Sequence, residues 1–124
     1  MATVKLTCTT TSTNLTSDNL SSTVLKSATV TQGGISRTNV TAVVGAPETI
    51  IAHADHTAGA YVYLKNAGEL NLFVKFEATA SGAVYDMFLD AGAWALFPWA
   101  ADTSDIRVYA SGSTGCLLEY GVFE

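Results

Sequence analysis

Apolar and polar residues alternate along most of this chain with a period of two, which is typical of β-strands that bury one face. The clearest example is LNLFVKFE at 70–77, which directs its even-numbered apolar residues inward and Asn71, Lys75 and Glu77 outward. The same criterion predicts further strands at 23–31, 37–44, 49–52, 61–65, 84–89, 93–99, 105–110 and 116–123. The chain is therefore expected to consist of consecutive strands.

Turn residues separate these strands about every ten to twelve residues. The turns are predicted at Gly33-Gly34, Gly45-Ala46-Pro47, Asn66-Ala67-Gly68, Asp90-Ala91-Gly92 and 111–115. No window has a convincing helical period, and no internal repeat suggests a solenoid or a propeller. The pattern predicts an all-β fold, an antiparallel β-sandwich or jelly-roll-like single domain.

The N-terminal third differs in composition from the rest. It is rich in Thr and Ser, and every Tyr, Phe and Trp lies after residue 42. Val4, Leu6 and Cys8 nevertheless alternate with polar residues, and the β-branch of threonine favours strands. We therefore predict an extended N-terminal arm with early strands at 1–41, ordered by a partner, and a β-sandwich core at 42–124.

The segment LDAGAWALFPW at 89–99 is unusually apolar for an acidic protein. It is predicted to be a strand end, a turn and a second strand, with Trp94 and Trp99 on opposite faces of that second strand. Pro98 has no backbone N–H, which places the strand at an edge or a corner of its sheet. An edge strand with two apolar faces needs a cover, for which another subunit is the favoured candidate. The predicted interface with such a partner comprises Trp94, Phe97, Trp99, Tyr61 and Tyr63.

Composition and charge narrow the classes of partner. The chain has 124 residues, one domain by length, of which 14% are charged, and its net charge is −5. An acidic surface disfavours nucleic acid, and no basic amphipathic helix or transmembrane segment indicates a membrane contact. No signal peptide is evident, so we expect synthesis in a cytoplasm, with Cys8 and Cys116 as free thiols.

Few residues suggest chemistry. His53, Asp55 and His56 form the only cluster that resembles a metal site, and polar loop residues are the favoured interpretation. Asp86 and Asp90 resemble a glycosidase acid pair, but aspartates near a turn are ordinary. No nucleophile elbow, phosphate loop or zinc-protease motif occurs. We therefore expect no catalytic residues, no metal and no cofactor.

The second half of the chain resembles small β-rich structural proteins of tailed bacteriophage virions. The residues that carry this resemblance are AYVYLKNAGELNLFVKF, LDAGAWALFPW, IRVYA and CLLEYGVFE, within 60–124. The shared pattern is a strand ending in KN, a glycine-containing turn, a second strand, a turn before an aromatic strand, and a final strand ending in EY-x-V. The chain departs from it at one turn, where Ala91 rather than proline precedes Gly92.

The resemblance implies a non-enzymatic decoration or cement protein. Such proteins sit on the capsid exterior, bind the major capsid protein and assemble as homotrimers. One alternative is a tail-fibre or baseplate module that binds host carbohydrate through aromatic residues, with Tyr109 and Tyr120 as further candidates. A third class, a small sandwich enzyme acting on polysaccharide, depends on Asp86 and Asp90 alone.

Overall fold

The computed structural model of the protein describes residues 2–12, 20–56, 59–77, 84–101 and 103–124, and the backbone alone at Ser12 and Leu20. Ten β-strands and one short 3₁₀ turn, His53–Asp55, form the described part of the chain. The strands are β1 (Ala2–Ser12), β2 (Leu20–Val30), β3 (Gly33–Val40), β4 (Glu48–Ile51), β5 (Ala60–Asn66), β6 (Leu72–Glu77), β7 (Met87–Leu89), β8 (Trp94–Trp99), β9 (Asp105–Ala110) and β10 (Cys116–Phe123). They divide into two compact units, 1–32 and 33–124.

The first unit is a two-stranded antiparallel hairpin. β1 and β2 pair over eleven residues each, from Ala2 opposite Val30 to Ser12 opposite Leu20. The predicted strand at 23–31 is thus longer, and its partner is the alternating segment around Val4 and Leu6. Neighbouring residues point to opposite faces, so the register places most of the apolar residues on one face, with Leu25 on the other.

The second unit is a sandwich of two four-stranded antiparallel sheets. The strand orders are β3-β10-β5-β8 and β4-β9-β6-β7. The chain pairs in a nested manner: β3 with β10, β4 with β9, β5 with β8, and β6 with β7. Eight strands in two sheets with this nested pairing form a jelly roll, as the turn spacing predicted. We call the two sheets the β10 sheet and the β9 sheet.

The core lies between the two sheets and is almost entirely aliphatic. The β10 sheet contributes Val62, Leu64 and Leu118, all fully buried. The β9 sheet faces them with Leu72, Val74, Ile106 and Val108, which are also fully buried. These residues occupy alternate positions of their strands, so the period of two in the sequence becomes one packed layer.

Asn66 joins the two sheets at one end of the core. Its side chain is fully buried. Its Nδ2 donates to the carbonyls of Leu70 and Leu89, at 2.7 and 3.0 Å, and its Oδ1 accepts the Gly68 N–H at 3.0 Å. The Cys116 thiol donates to the same Oδ1 at 3.2 Å. A buried amide with these bonds holds the turn after β5, the end of β7 and the start of β10 together.

The predicted turn before the aromatic strand is also present. The Ala93 N–H donates to the Asp90 carbonyl at 2.9 Å, and Gly92 has a φ of 83°, a left-handed conformation that favours glycine. The strand that follows, β8, lies at the edge of the β10 sheet. The edge position inferred from Pro98 is confirmed. Cys8 and Cys116 are free thiols, also as predicted.

Two expectations differ from the structure. The units divide at 32/33 rather than 41/42, because β3 pairs along its whole length with β10 and so belongs to the sandwich. Lys75 does point away from the core, but its side chain is not solvated. The residue is only 6% exposed, and its ammonium lies 3.1 Å from the Glu77 carboxylate. An alternation pattern identifies the core side of a strand but not what covers the other side.

Candidate functional site

The outer face of the β10 sheet is the main candidate surface. Alternate residues of its four strands point away from the core, and the register places them side by side. We define this outer face by its apolar members, Ile35, Tyr61, Tyr63, Trp94, Leu96, Pro98, Leu117 and Phe123. Ile35, Trp94 and Leu117 are exposed. A sheet face of this composition is suited to bind another macromolecule.

Phe123 lies flat on this face because glycine leaves room for its ring. A Cβ on Gly121 would come within 3.1 Å of two Phe123 ring atoms, and one on Gly33 would come within 2.9 Å of a third. Both contacts are tighter than side chains normally allow. Because neither glycine has a side chain, the Phe123 ring can lie close to the backbone of the sheet at these two positions.

One polar row crosses the outer face. Glu119 Oε2 accepts hydrogen bonds from Arg37 Nε at 2.8 Å and Nη2 at 2.7 Å, and its Oε1 accepts one from the Tyr63 hydroxyl at 3.1 Å. The bond from Arg37 holds the pKa of the Glu119 carboxyl below its ordinary value, while burial raises the pKa of Tyr63. This network fixes the orientation of the Tyr63 ring in the middle of the face.

The five predicted interface residues divide between this face and the core. Tyr61, Tyr63 and Trp94 lie on the outer face, and Trp94 is 47% exposed. Trp99 points inward and is only 8% exposed, so the two tryptophans do lie on opposite faces. Phe97 also points inward, where its ring meets that of Phe76 at a centroid distance of 5.6 Å. Tyr61, Tyr63 and Trp94 therefore lie on the outer face, whereas Phe97 and Trp99 pack towards the core.

An open recess lies where β5 begins and β8 ends. It has a volume of about 480 Å³. Its lining includes Tyr61 and Pro98 from the outer face together with Gly59, Ala60, Trp99 and Ala100. The recess makes one end of the outer face concave, which suits a protruding side chain of a partner.

The outer face of the β9 sheet carries an aromatic cluster. Phe73 stacks on Tyr109, with centroids 4.9 Å apart and ring planes 17° apart, and touches Tyr85 at 4.8 Å and Phe88 at 5.5 Å. Tyr85 and Phe88 are exposed, whereas Tyr109 is buried and its pKa is raised by that burial. Sequence reasoning named only Tyr109 among these four. Phe73 lies directly opposite Tyr109 on one neighbouring strand and opposite Phe88 on the other. The cluster therefore depends on the strand order, which the sequence does not show.

The two histidines each pair with a carboxylate. His53 Nδ1 lies 2.6 Å from Asp105 Oδ1, which also accepts the His53 backbone N–H at 3.0 Å, and Arg107 donates to Asp105 Oδ2 at 2.9 Å. The bond from the His53 backbone lowers the pKa of the nearly buried Asp105. His56 Nδ1 lies 2.6 Å from Glu124 Oε2.

The suspected metal cluster of His53, Asp55 and His56 is not formed. The segment is a 3₁₀ turn, and the histidines bond to Asp105 and Glu124 instead. Over the described ranges, no group of three His, Cys, Asp or Glu side chains is placed to hold a metal ion. In the suspected acid pair of Asp86 and Asp90, Asp86 has a structural hydrogen bond: its carboxylate accepts the Phe76 N–H at 2.8 Å.

Comparison with models of known protein families, with curated proteins and with solved structures finds no match for this chain. The described part of the protein also contains no helix with the length and apolar character needed to cross a membrane. The functional assignment therefore depends on the residues and surfaces of this chain.

Proposed function

We propose that this protein is a non-enzymatic structural protein of a tailed-bacteriophage virion, made in the host cytoplasm and carried on the capsid exterior. In this proposal it is a homotrimeric decoration or cement protein that binds the major capsid protein. The assignment to this class of virion proteins is supported by the resemblance of residues 60–124 to small β-rich virion proteins. Fold alone does not define function, although jelly rolls recur in viral capsid proteins.

The observation that carries the binding role is the apolar outer face with Tyr61, Tyr63 and Trp94. Four strands spaced about 4.8 Å apart, each with about six residues of 3.3 Å, give this face an area on the order of 400 Å². The area includes the charged row of Arg37, Glu119 and Lys65, so the apolar part is smaller, and the aromatic residues beside that row are what favour a binding site. We propose that this face contacts the major capsid protein, with Trp94 and Tyr61 as anchors.

A second candidate function, carbohydrate binding by a tail module, is favoured by the aromatic cluster on the β9 sheet. Tyr85 and Phe88 expose rings that a sugar can stack against, and both contact Phe73, which stacks on the buried Tyr109. The two candidates use opposite faces of the sandwich, so a matched pair of substitutions separates them.

Trp94 and Phe88 form that pair because both are 47% exposed and lie on different sheets. Virions that lack the protein are incubated with parent, Trp94→Ala or Phe88→Ala protein, and bound protein is quantified. We expect Trp94→Ala to weaken attachment about tenfold or more, the scale of one interface anchor, and Phe88→Ala to bind like the parent. Loss of attachment with Phe88→Ala alone would contradict the proposed face.

Copy number and sugar binding test the class of function. Mass spectrometry of purified virions should find hundreds of copies per particle for a head protein. A handful of copies, together with glycan-array binding that Phe88→Ala abolishes, would overturn the head assignment in favour of the tail module. Absence from the virion would overturn both.

A further inference from the structure

The two sheets of the sandwich have four edge strands, and three of these carry a feature that hinders pairing with a further strand. β7 has only three residues, β4 has an irregular register between Thr49 and Ile51, and β3 carries the exposed Arg37 near its middle. Short length, irregularity and charge are common protections of edge strands. β8 has six uncharged residues in unbroken register with β5, and only Pro98, next to its end, hinders pairing. β8 is therefore the edge best suited to accept a strand.

The register shows which backbone groups β8 directs away from its sheet. The Asn66 N–H donates to the Ala93 carbonyl at 2.9 Å, so this carbonyl faces β5. In an antiparallel strand, alternate residues direct their N–H and C=O groups to the same side. The groups that face away from β5 therefore belong to Trp94, Leu96 and Pro98. Within the described part of the chain, no strand pairs with β8 on that side.

These outward backbone groups have the spacing of an extended polypeptide. Trp94 and Leu96 each offer one N–H and one carbonyl, and the two sets are about 6.8 Å apart, the length of two strand residues. Pro98 offers a carbonyl only. An added antiparallel strand can exchange four hydrogen bonds with Trp94 and Leu96. A peptide backbone repeats a donor and an acceptor at this spacing, so the edge is suited to bind a peptide strand.

The side chains along the edge favour a particular composition for the added strand. Trp94, Leu96 and Pro98 place their side chains on the outer face, and residues directly opposite them would lie on the same face. Trp94 is 47% exposed. Pro98, Tyr61 and Trp99 also line the recess of about 480 Å³, which can take the added side chain opposite Pro98. The edge therefore fits an uncharged segment with apolar residues at every second position.

We infer that an extended, apolar segment of the partner protein adds to β8 as a fifth strand of the β10 sheet. Backbone hydrogen bonds at Trp94 and Leu96 hold the segment, and the recess beside Pro98 selects one of its side chains. This inference rests on the proposed function in that the outer face, with Trp94 as an anchor, binds the partner. β8 borders that face, so the same protein can cover the face and supply the strand.

A proline substitution at the edge removes one outward N–H and leaves the hydrogen bonds within the sheet in place. Leu96→Pro should therefore melt within a few degrees of the parent, but it should bind the added strand about tenfold or more weakly. Asn39→Pro is the matched control at the other edge of the same sheet. The Ala67 N–H donates to the Leu117 carbonyl, so Leu117 faces β5 and the N–H of Asn39, opposite Leu117 on β3, also faces outward. This control should bind like the parent.

A displayed library of random peptides about seven residues long, enough to span the six residues of β8, tests the edge without any virion. Peptides selected on the immobilised parent should share apolar residues at alternate positions and should bind Asn39→Pro but not Leu96→Pro. N-methylation of their paired amides should weaken binding about tenfold or more. Hydrogen exchange on the parent needs no variant: a selected peptide should slow exchange at the Trp94 and Leu96 amides and not at Asn39.

The inference is overturned if Leu96→Pro binds selected peptides or protein-deficient virions as tightly as the parent, or if no selected peptide depends on the Leu96 N–H. It is also overturned if the free parent is dimeric by light scattering, with both amides already protected, and Leu96→Pro is monomeric. A second copy would then occupy the edge. Failure of the virion proposal has a different signature, in which Leu96-dependent peptides are selected but protein-deficient virions do not retain the parent.

Discussion

The hairpin and the sandwich use the same alternation of apolar and polar residues, but they differ in what covers the apolar side. In the sandwich, Val74 of one sheet and Leu64 of the other are fully buried within a shared core. In the hairpin, the more apolar face is buried unevenly: Val30 is buried, Leu6 is half-buried and Val24 is 64% exposed. The sandwich therefore has a two-layer core of its own, whereas a hairpin of two strands is at best marginally stable by itself.

The largest loss of stability is expected from a charge placed in the core of the sandwich. Val74→Asp should destabilise the protein by at least about 4 kcal/mol and prevent soluble folding, because it buries an unpaired carboxylate. Asn71→Asp, exposed just before the same strand, is the control and should shift the melting temperature little. Lys75→Asp is not a suitable control, because Lys75 is buried beside Glu77. Equal melting temperatures for Val74→Asp and the parent would refute the core assignment.

Removal of the buried amide should have the next largest effect. Asn66→Leu takes the Nδ2 donor away from the carbonyls of Leu70 and Leu89, of which the Leu70 carbonyl keeps only the weaker bond from the Cys116 thiol. The substitution should cost about 1–3 kcal/mol. Urea denaturation measures this loss, with Asn71→Ala as the exposed control. A cost below about 0.5 kcal/mol, typical of surface positions, would show that Asn66 does not hold the sheets together.

Acidification should weaken the sandwich through Asp105. Its pKa is lower in the folded protein than in the unfolded chain, so its contribution is fully present above the unfolded value and is lost as the pH falls through the folded value. Asp105→Asn should therefore lower the free energy of unfolding at pH 7 by roughly 1–3 kcal/mol, the scale of hydrogen bonds to a charged group.

The same variant should differ less from the parent as the pH falls below about 4, the ordinary pKa of an aspartate, and least once the pH has fallen through the lower pKa of the folded Asp105. Melting curves of the sandwich unit, 33–124, recorded between pH 2 and pH 7 for parent and variant, measure whether their stabilities converge. A difference between parent and variant that is constant across this range would refute the role of the Asp105 charge.

The smallest effect on the sandwich should come from deletion of the whole hairpin, 1–32. The two units are compact by themselves, so the sandwich at 33–124 should melt within a few degrees of the parent. Deletion of 2–20 alone is less informative, because it leaves β2 without the strand that it pairs with. A fall of more than about 8 °C, which corresponds to more than 1 kcal/mol in a domain of this size, would show that the sandwich needs the hairpin.

The local pattern of the amino-acid sequence determined much of the fold of this protein. The bounds of β9 and β10, the reversal at Asp90–Gly92, the edge position of β8 and the opposite orientation of Trp94 and Trp99 all follow from alternation, turn residues and the missing N–H of Pro98. These features depend on neighbours within a few residues, and short-range sterics and hydrogen bonding act at that range.

Only the tertiary structure decided which strands meet. The nested pairing places Glu119 beside Arg37 and Tyr63, which are 82 and 56 residues away in the chain. It also makes Asn66, which the sequence presents as a turn residue, a buried junction between the sheets, and it places Asp105 beside His53. Such contacts depend on strand order and register, which a period of two leaves open because every strand with the same alternation is an equivalent partner.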